Sequence, residues 1–539
     1  MNLTPGSKVH YGSRGMVASA SHRAAVAGVN IMQRGGNAFD AAMAVASVEW
    51  FTMTGSCGLG GDVFAVFYDA KEDRVGAING SGMCAMNAGR DYYVGQGLSK
   101  MPLDGWHSAA VPGAPHAYDT LVRELGTMPM GDLVAQAYDY AEKGIVVSEK
   151  MSGKISGAAK KMGQFPDSVA MYLVGGKAPR PGDRWLTPDL ARSIRVLAEE
   201  GSEPFYRGDI ATEMVRASRD GGGIFSAEEF AEHTTDVYEP LHTNYRGVDV
   251  YATAPPSQGL IVLEWLNLLS GYNVQAMGAG SADAIHLLVE AKKLAFADRL
   301  RYCGDPRFVD NPLDELLAMD YAELRREAID LKRASDAPVA GCLPEHAGDT
   351  SYFAVADGDG NAISFIHSLS AGFGSGVVAG NTGIVLNNRA GRGFSLEEGH
   401  PNVIEGGKKT MHTLHCYLMR DGDSCIVGGT PGGDRQPQWN VQAITDMIDF
   451  DMDVQEAAEA PRWVSFPGTD PANIETPFEL RMEDRFGSEV RAELERRGHR
   501  VNSMGDWGGG SSVQLIMRDE DGNLLGGSDP RSGGVALGF

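Results

Sequence analysis

The sequence predicts a layered α+β fold rather than a doubly wound parallel sheet. Its strand-rich and helix-rich blocks are interleaved without a regular β–α–β order. Hydrophobic residues make up 43% of the 539 residues and charged residues 22%, which is the composition of a packed globular protein. No internal repeat or low-complexity tract interrupts the pattern. We therefore expect helices and strands that share a large buried core.

The first 80 residues predict two buried helices and two strands. Ser21 fits the N-cap of the first helix, and an almost wholly apolar second helix begins at Asn37. The glycine-rich turn at 58–62 precedes a strand and lacks the strand–GxGxxG–helix order of a dinucleotide site, so it predicts close packing. The predicted elements are helices at 21–34 and 37–50 and strands at 63–68 and 75–79.

The rest of the chain alternates helical and extended segments. A polar connector at 334–348 contains Pro and Gly and has no periodicity, so we expect it to be exposed. The predicted helices lie near 114–125, 131–143, 188–200, 208–219, 226–233, 281–302, 311–333, 437–450 and 485–498. The predicted strands lie near 248–252, 351–356, 362–369, 376–379, 383–386, 411–419, 424–427, 512–518 and 524.

Two consecutive strands predict a β-hairpin closed by the Asp/Gly/Asn loop at 357–361. That loop length places Ala356 opposite Ala362, and counting back along both strands places Thr350 opposite Ser368. Directly opposed residues have Cβ atoms roughly 4.5–5.5 Å apart. Two hydroxyls are therefore predicted to meet at the open end of the hairpin. Such pairs are usually structural, and this one is also a candidate catalytic pair.

Net charge, hydropathy and cysteine content predict which partners, which location and which state of the thiols to expect. The net charge of −24 argues against nucleic acid or an anionic membrane as a partner. No run of 18 apolar residues occurs, so no membrane span is predicted. The N-terminus has no basic segment followed by an apolar one, so we expect no signal peptide and a cytoplasmic protein. The six cysteines are dispersed without a Cys-x-x-Cys pair, which predicts reduced thiols.

Seven motifs are spread over nearly the whole chain. They are GGNAFDAAMAVA near the start, PPSQG at 255–259, ADRLRYCGDPRFVD at 297–310, DTSYFAVADGDGNAISF at 349–365, SGVVAGNTGIVLNN at 375–388, TPGGD at 430–434 and GSDPRS at 527–532. In this order they resemble the γ-glutamyltranspeptidase family. That family includes transpeptidases, cephalosporin (glutaryl) acylases, a capsule depolymerase and oxamate amidohydrolases.

The resemblance implies a four-layered αββα N-terminal-nucleophile hydrolase sandwich with helical excursions. It also implies self-cleavage between Asp349 and Thr350. The products would be a large fragment, 1–349, and a small fragment, 350–539, which together form one structural domain as a heterodimer or a higher oligomer. The expected partner is a small-molecule amide, and no cofactor and no metal are expected.

The chemistry of Thr350 agrees with a role as nucleophile. In the precursor its hydroxyl would attack the Asp349 carbonyl, and an N→O acyl shift followed by hydrolysis would release a chain that starts at Thr350. The freed α-amino group has an ordinary pKa of about 7.7–8.0, so it can act as the base. Ser368 matches the family threonine that hydrogen-bonds the nucleophile.

Gly432 and Gly433 match the oxyanion hole of the family. Backbone N–H groups just before a helix point towards an anion and share the positive end of the helix dipole. On its own this glycine pair also fits an ordinary tight turn.

Substrate recognition departs from the family pattern. Ser81 stands where typical transpeptidases have the arginine that holds the glutamyl α-carboxylate. Arg389 and Arg392 occupy the places of the Gln or Glu and the Asp that receive the α-ammonium, and His412-Thr413 replaces a Ser-Ser pair. The predicted substrate-binding residues are Ser81, Ser370, Arg389, Arg392, His412 and Thr413.

Two arginines near the nucleophile predict an inversion of charge. They would repel an ammonium and attract a carboxylate. The predicted acyl group therefore ends in a carboxylate and lacks an α-amino group, as in oxamyl, succinyl or glutaryl amides. In the alternative, Arg389 or Arg392 pairs with Asp434, Glu397 or Glu398.

Three further interpretations are weighed. His412-x-x-His415 could suggest a metal, but a spacing of three on a strand points the imidazoles to opposite faces, and no carboxylate or cysteine pair completes a site. A true γ-glutamyltransferase or glutathione hydrolase is the second candidate function. The third is an unprocessed pseudoenzyme that acts as a binding protein.

Overall fold

A computed structural model of the protein describes residues 8–335, 350–468 and 477–539. Its strands form two seven-stranded antiparallel sheets and two small sheets. The strands are β1 (His10–Gly12), β2 (Gly15–Ser19), β3 (Asp62–Asp69), β4 (Arg74–Gly80), β5 (Ile145–Val146), β6 (Arg184–Trp185), β7 (Asp236–Tyr238), β8 (Leu241–Tyr245), β9 (Val248–Ala252), β10 (Ser351–Asp357), β11 (Ala362–Ser368), β12 (Tyr417–Asp421), β13 (Ser424–Gly429), β14 (Trp463–Phe466), β15 (Glu479–Met482), β16 (Val501–Ser503), β17 (Gln514–Arg518), β18 (Leu524–Ser528) and β19 (Val535–Gly538).

The helices include the three that prove most important for the candidate site, α2, α18 and α19. The helices are α1 (His22–Gln33), α2 (Ala38–Thr52), α3 (Arg90–Gly95), α4 (Ala114–Leu125), α5 (Met130–Leu133), α6 (Ala135–Lys143), α7 (Glu149–Met162), α8 (Pro166–Tyr172), α9 (Pro188–Glu200), α10 (Pro204–Arg207), α11 (Asp209–Asp220), α12 (Ala227–Ala231), α13 (Gly259–Leu269), α14 (Val274–Met277), α15 (Ala282–Tyr302), α16 (Leu313–Leu316), α17 (Met319–Arg326), α18 (Arg389–Gly393), α19 (Arg435–Ile448), α20 (Val454–Glu459) and α21 (Ser488–Arg496). Among the described residues, every helix is too short or too polar to span a bilayer.

The two large sheets pack face to face. The first has the order β19-β2-β10-β11-β3-β4-β7 and the second β1-β18-β17-β13-β12-β9-β8. A buried apolar cluster lies between them. It includes Phe64 and Ile366 from the first sheet and Leu418 and Ile516 from the second. The hydrophobic effect of this burial holds the sheets together.

Helices cover the outer face of each sheet. Phe353 and Phe365 of the first sheet share a core with α1, α2 and α4, and Leu515 of the second shares a core with α13, α15 and α19. Along β10, Tyr352 faces the other sheet whereas Phe353 faces the helices, as the period of two in a strand requires. The order of layers is αββα, so the predicted fold class is confirmed.

Helices with clear end signals match their predicted ranges. Ser21 and Ser281 cap α1 and α15 by accepting backbone N–H groups, and α4 and α9 have the predicted bounds. The sequence patterns do not predict α7, α8, α13, β2 and β19.

Four predicted elements are wrong. The helix at 311–333 is instead α16 and α17, separated at Ala318, whose backbone is extended. The strands at 376–379 and 383–386 reduce to one isolated bridge, because glycines with positive φ bend the chain there. The predicted strand at 411–419 begins only at Tyr417, because the preceding residues bond to the turn before α13 rather than to a strand.

Candidate active site

The hairpin β10–β11 has the predicted register. Ala356 pairs with Ala362, and the ladder runs back to Ser351 opposite His367. Thr350 directly precedes β10, and its Oγ1 lies 3.1 Å from the Ser368 Oγ. Both side chains are buried. The structure therefore brings the two predicted hydroxyls together, whereas Asp349 lies outside the described residues.

An unusual turn follows Ser368. Ser370 has a φ of +83°, a conformation that costs a non-glycine residue about 1–3 kcal/mol. Its N–H donates to the Ser368 Oγ at 2.8 Å, and Arg392 donates to its carbonyl at 2.9 Å. These bonds hold the turn, and they connect Arg392 to the hydroxyl that contacts Thr350.

The glycine-rich turn before β3 packs closely against the same strand end. A Cβ at Gly61 would lie 2.3 Å from the Ser368 carbonyl oxygen, and one at Gly60 would lie 1.9 Å from the Val385 carbonyl oxygen. Only glycine fits at these positions, so the predicted close packing is confirmed. The turn places Asp62, the first residue of β3, directly opposite Ser368.

Four polar side chains consequently form a row across neighbouring strands. Thr350 adjoins Ser368, Ser368 pairs with Asp62, and the β3–β4 register continues the row to Ser81. Directly opposed residues of antiparallel strands point to the same face of the sheet. The Asp62 Oδ1 accepts the Gly82 N–H at 3.0 Å, which fixes the carboxylate at the end of β4.

Arg389 joins this row from helix α18. Its Nε lies 3.3 Å from the Asp62 Oδ2, and its Nη1 lies 3.5 Å from the Thr413 Oγ1. The guanidinium is only 2% exposed. Arg389 thus contacts Asp62 and Thr413, whereas the Ser81 hydroxyl donates to the Asn79 Oδ1 at 2.6 Å. The sequence did not point to Asp62. The alternative that an acid pairs with Arg389 is met by Asp62, while Asp434 pairs with Arg299.

His412 completes the cluster in its neutral form. Its Nε2 lies 3.4 Å from the Asp62 Oδ2. Burial, together with nearby Arg389, lowers the pKa of His412 to about 4. Burial alone would raise the pKa of Asp62, but His412 and Arg389 hold that pKa below its usual value. Asp62 is therefore charged and His412 uncharged at neutral pH.

His415 has a different environment from His412. Its Nε2 forms a 2.9 Å hydrogen bond with the Asn440 side chain on α19. The two imidazoles contact different elements, although the strand on which their separation was predicted begins only at Tyr417.

Gly432 and Gly433 lie in the loop between β13 and α19. Their φ values of +140° and +59° favour glycine. Gly429, at the end of β13, lies so close to the ring of Tyr352 that a Cβ there would come within 2.5 Å of it. The loop therefore leaves the sandwich near the start of β10. Among the described residues, neither glycine N–H donates to a protein acceptor, so both remain available to an anion.

Comparison with known proteins identifies the family of the chain. A sequence profile described as gamma-glutamyltranspeptidase matches residues 24–539. The chain belongs to the γ-glutamyltranspeptidase family. It is an N-terminal-nucleophile-type hydrolase or transpeptidase of that family.

Relatives within the family carry different names. The chain is 38% identical over 98% of its length to a Bacillus subtilis "Glutathione hydrolase-like YwrD proenzyme", of which 99% is covered. It is 32% identical over 98% of its length to a Klebsiella pneumoniae "Oxamate amidohydrolase proenzyme", of which 99% is covered. A solved cephalosporin acylase from Bacillus halodurans has a TM-score of 0.91 and 33% identity, with 100% of this chain and 98% of that chain covered.

Proposed function

We propose that the protein is an autoprocessed N-terminal-threonine amidohydrolase that cleaves an amide whose acyl part carries a carboxylate. The observation that carries the proposal is the buried Arg389, which Asp62 holds in the row that contains Ser368 and Thr350. A fixed guanidinium at this place is suited to a carboxylate on the acyl group.

The proposed reaction uses the free α-amino group of Thr350 as base. The amine takes the proton of the Thr350 hydroxyl while the oxygen attacks the substrate carbonyl carbon. The Gly432 and Gly433 N–H groups would stabilise the negative charge on the carbonyl oxygen. The C–N bond then breaks, the leaving amine takes the proton, and an acyl ester remains on Thr350. Attack by water on this ester releases the acid and restores the hydroxyl.

Charge at the site supports an acidic acyl group. Two guanidinium groups, those of Arg389 and Arg392, lie at the site, Asp62 contacts Arg389, and His412 is neutral. Guanidinium groups attract a carboxylate and repel an ammonium. Relatives named as an oxamate amidohydrolase and a cephalosporin acylase are consistent with this class of substrate.

A γ-glutamyl hydrolase or transferase is the second candidate. One observation favours it, because Asp62 offers a carboxylate to an α-ammonium while Arg389 offers a cation to an α-carboxylate. A relative is named glutathione hydrolase-like. Arg389 already pairs with Asp62 at 3.3 Å, however, so an α-ammonium would compete with this guanidinium for the carboxylate.

The deciding experiment compares anilides that differ only in the acyl end. Fully processed protein is assayed with glutaryl, succinyl, γ-glutamyl and valeryl p-nitroanilides, and with oxamate. Valeryl is the matched control, since it has the length of glutaryl without the carboxylate. We expect kcat/KM for glutaryl or succinyl to exceed that for valeryl by at least roughly 100-fold.

Each other outcome has a defined meaning. Hydrolysis of the γ-glutamyl anilide alone would contradict the acyl assignment but not the role of Thr350. A single full-length band on a denaturing gel, together with no hydrolysis, would support the pseudoenzyme instead.

A further inference from the structure

A buried carboxylate lies behind the catalytic hairpin, on the side that faces the helices. Glu49, on α2, is fully buried and accepts hydrogen bonds from three strands of the first sheet. Ser19 of β2 donates at 2.7 Å, Ser351 of β10 at 2.6 Å, and the His367 Nε2 of β11 at 2.9 Å.

Two of these donors are the chain neighbours of the candidate catalytic pair. Ser351 follows Thr350, and His367 precedes Ser368. Ser351 and His367 also oppose each other in the ladder, so both side chains point to the face opposite that of Thr350 and Ser368. The Glu49 carboxylate therefore hydrogen-bonds to the ends of both strands of the hairpin. The opposite faces of these strand ends carry the hydroxyls of Thr350 and Ser368.

The bonds around His367 fix its tautomer. Its Nε2 faces the Glu49 carboxylate and must carry a hydrogen. The Tyr118 hydroxyl lies 2.9 Å from the other ring nitrogen and itself accepts the Trp50 indole N–H at 3.2 Å. Tyr118 can in turn donate its own hydrogen to the His367 Nδ1, so the tautomer with hydrogen on Nε2 fits both contacts.

The same cluster offers ligand atoms for a metal, but they are already in use. The ligand atoms of Glu49, Cys57 and His367 lie within 4.8 Å of one another. Both imidazole nitrogens and both carboxylate oxygens already take part in hydrogen bonds. The arrangement is therefore that of a satisfied polar network, which rigidifies what it connects.

A carboxylate is costly to bury, and an apolar side chain of similar size would avoid that cost. The position of Glu49 beside Ser351 indicates what this carboxylate does. After the proposed cleavage Thr350 is a chain end, joined covalently to the rest of the protein through its peptide bond to Ser351. A residue that fixes Ser351 therefore also restricts the position of the nucleophile and its amine.

We infer that Glu49 is a positioning residue, which holds Thr350 and Ser368 in register through Ser351 and His367. The inference rests on the proposed role of Thr350 as nucleophile. It does not depend on which acyl group the enzyme accepts, because Glu49 lies on the opposite face of the sheet from the row that contains Asp62.

The test is Glu49→Gln, which keeps the size of the side chain and removes its charge and one acceptor. We expect kcat to fall roughly 10- to 100-fold, since small displacements of a nucleophile have effects of this size. KM should change less than about threefold, because the acyl-binding residues are untouched. Glu290→Gln is the control, because Glu290 is a buried glutamate on α15, in the other helical layer, that accepts hydrogen bonds from Lys293 and Ser335, and it should leave kcat unchanged.

Ser351→Ala keeps the inference testable if Glu49→Gln fails to fold. It removes one 2.6 Å bond and should lower kcat less than Glu49→Gln, again at constant KM. In the double variant the two effects should not add, since both act through the same bond. Thermal unfolding and the mass of the N-terminus at Thr350 confirm that each variant is folded and processed.

Failure of this inference can be told apart from failure of the proposed function. If wild type hydrolyses an amide and both variants show unchanged kcat, or a KM that rises as kcat falls, Glu49 is not a positioning residue. If wild type is processed but cleaves no amide in the panel, the acyl assignment fails. The rate of self-cleavage, which uses the same Thr350 hydroxyl, then measures the effect of Glu49→Gln.

Discussion

Arg389 has two roles that can be measured separately. It neutralises the buried Asp62, and it is proposed to hold the substrate carboxylate. Arg389→Met should lower the free energy of unfolding by about 3–5 kcal/mol, because the buried Asp62 carboxylate loses its guanidinium partner. It should also lower kcat/KM for the glutaryl anilide at least roughly 100-fold, through lost charge-assisted hydrogen bonds. Denaturant unfolding and steady-state kinetics give the two values.

A double variant separates recognition from stability. Arg389→Met combined with Asp62→Asn removes both charges, so much of the lost stability should return while kcat/KM stays low. Arg462→Met is the control, since Arg462 is a buried arginine that pairs with Asp446 away from the row of polar side chains. It should lower stability without changing the preference for glutaryl over valeryl. If Arg389→Met keeps the preference for glutaryl over valeryl, Arg389 does not bind the carboxylate of the substrate.

At the residue scale, the sequence predicts local pairs better than pairs made by distant segments. Thr350 and Ser368 are 18 residues apart, and a short loop fixes which residues oppose each other. Arg389 and Asp62 are 327 residues apart. Their contact depends on the β3–β11 register and on the close packing of Gly61, which no periodicity reveals.

At the scale of elements, the role of the loop between β13 and α19 can be tested at Gly432. Gly432→Ala forces a Cβ into a backbone with φ of +140° and to 2.7 Å from the Trp439 ring, so the loop must shift. If its N–H groups stabilise the oxyanion, kcat should fall roughly 100- to 1000-fold. Steady-state kinetics on processed protein measure this loss.

The control for this variant is another glycine with positive φ. Gly278→Ala, before α15, has the same kind of backbone strain but meets no atom within 4 Å. It should lower stability slightly and leave kcat as in wild type. An equal loss of kcat in both variants would mean that strain, rather than displacement of the oxyanion donors, causes the effect.

Elements differ in how far the sequence could predict them. Helices α1 and α15 carry N-cap serines, and their ends follow from local chemistry. The segment from 376 to 386 has strand-like residues, yet its glycines adopt positive φ and tertiary bonds replace a ladder. The apolar helix α13 has no polar face, so periodicity could not distinguish it from other buried segments.

The whole molecule interleaves the two expected products of self-cleavage. In the first sheet, β10 and β11 of the small fragment lie between β2 and β3 of the large fragment. In the second sheet, β12 of the small fragment pairs with β9 of the large fragment. At the other edge, β18 of the small fragment pairs with β1 of the large fragment. Neither fragment contains a complete large sheet.

This interleaving predicts that cleavage leaves one cooperative body. The processed protein should show two bands on a denaturing gel, yet elute as a single species in size-exclusion chromatography at the volume of the uncleaved Thr350→Ala variant. It should unfold in one transition with urea, because separating the fragments would break the ladders on both sides of β10–β11 and expose the core between the sheets. Recovery of the free small fragment without denaturant, or two separate unfolding transitions, would contradict this prediction.

The catalytic row needs both products, since Thr350 and Ser368 come from the small fragment and Asp62 and Ser81 from the large one. Activity should therefore be lost in the same transition as the fold, at the same urea concentration.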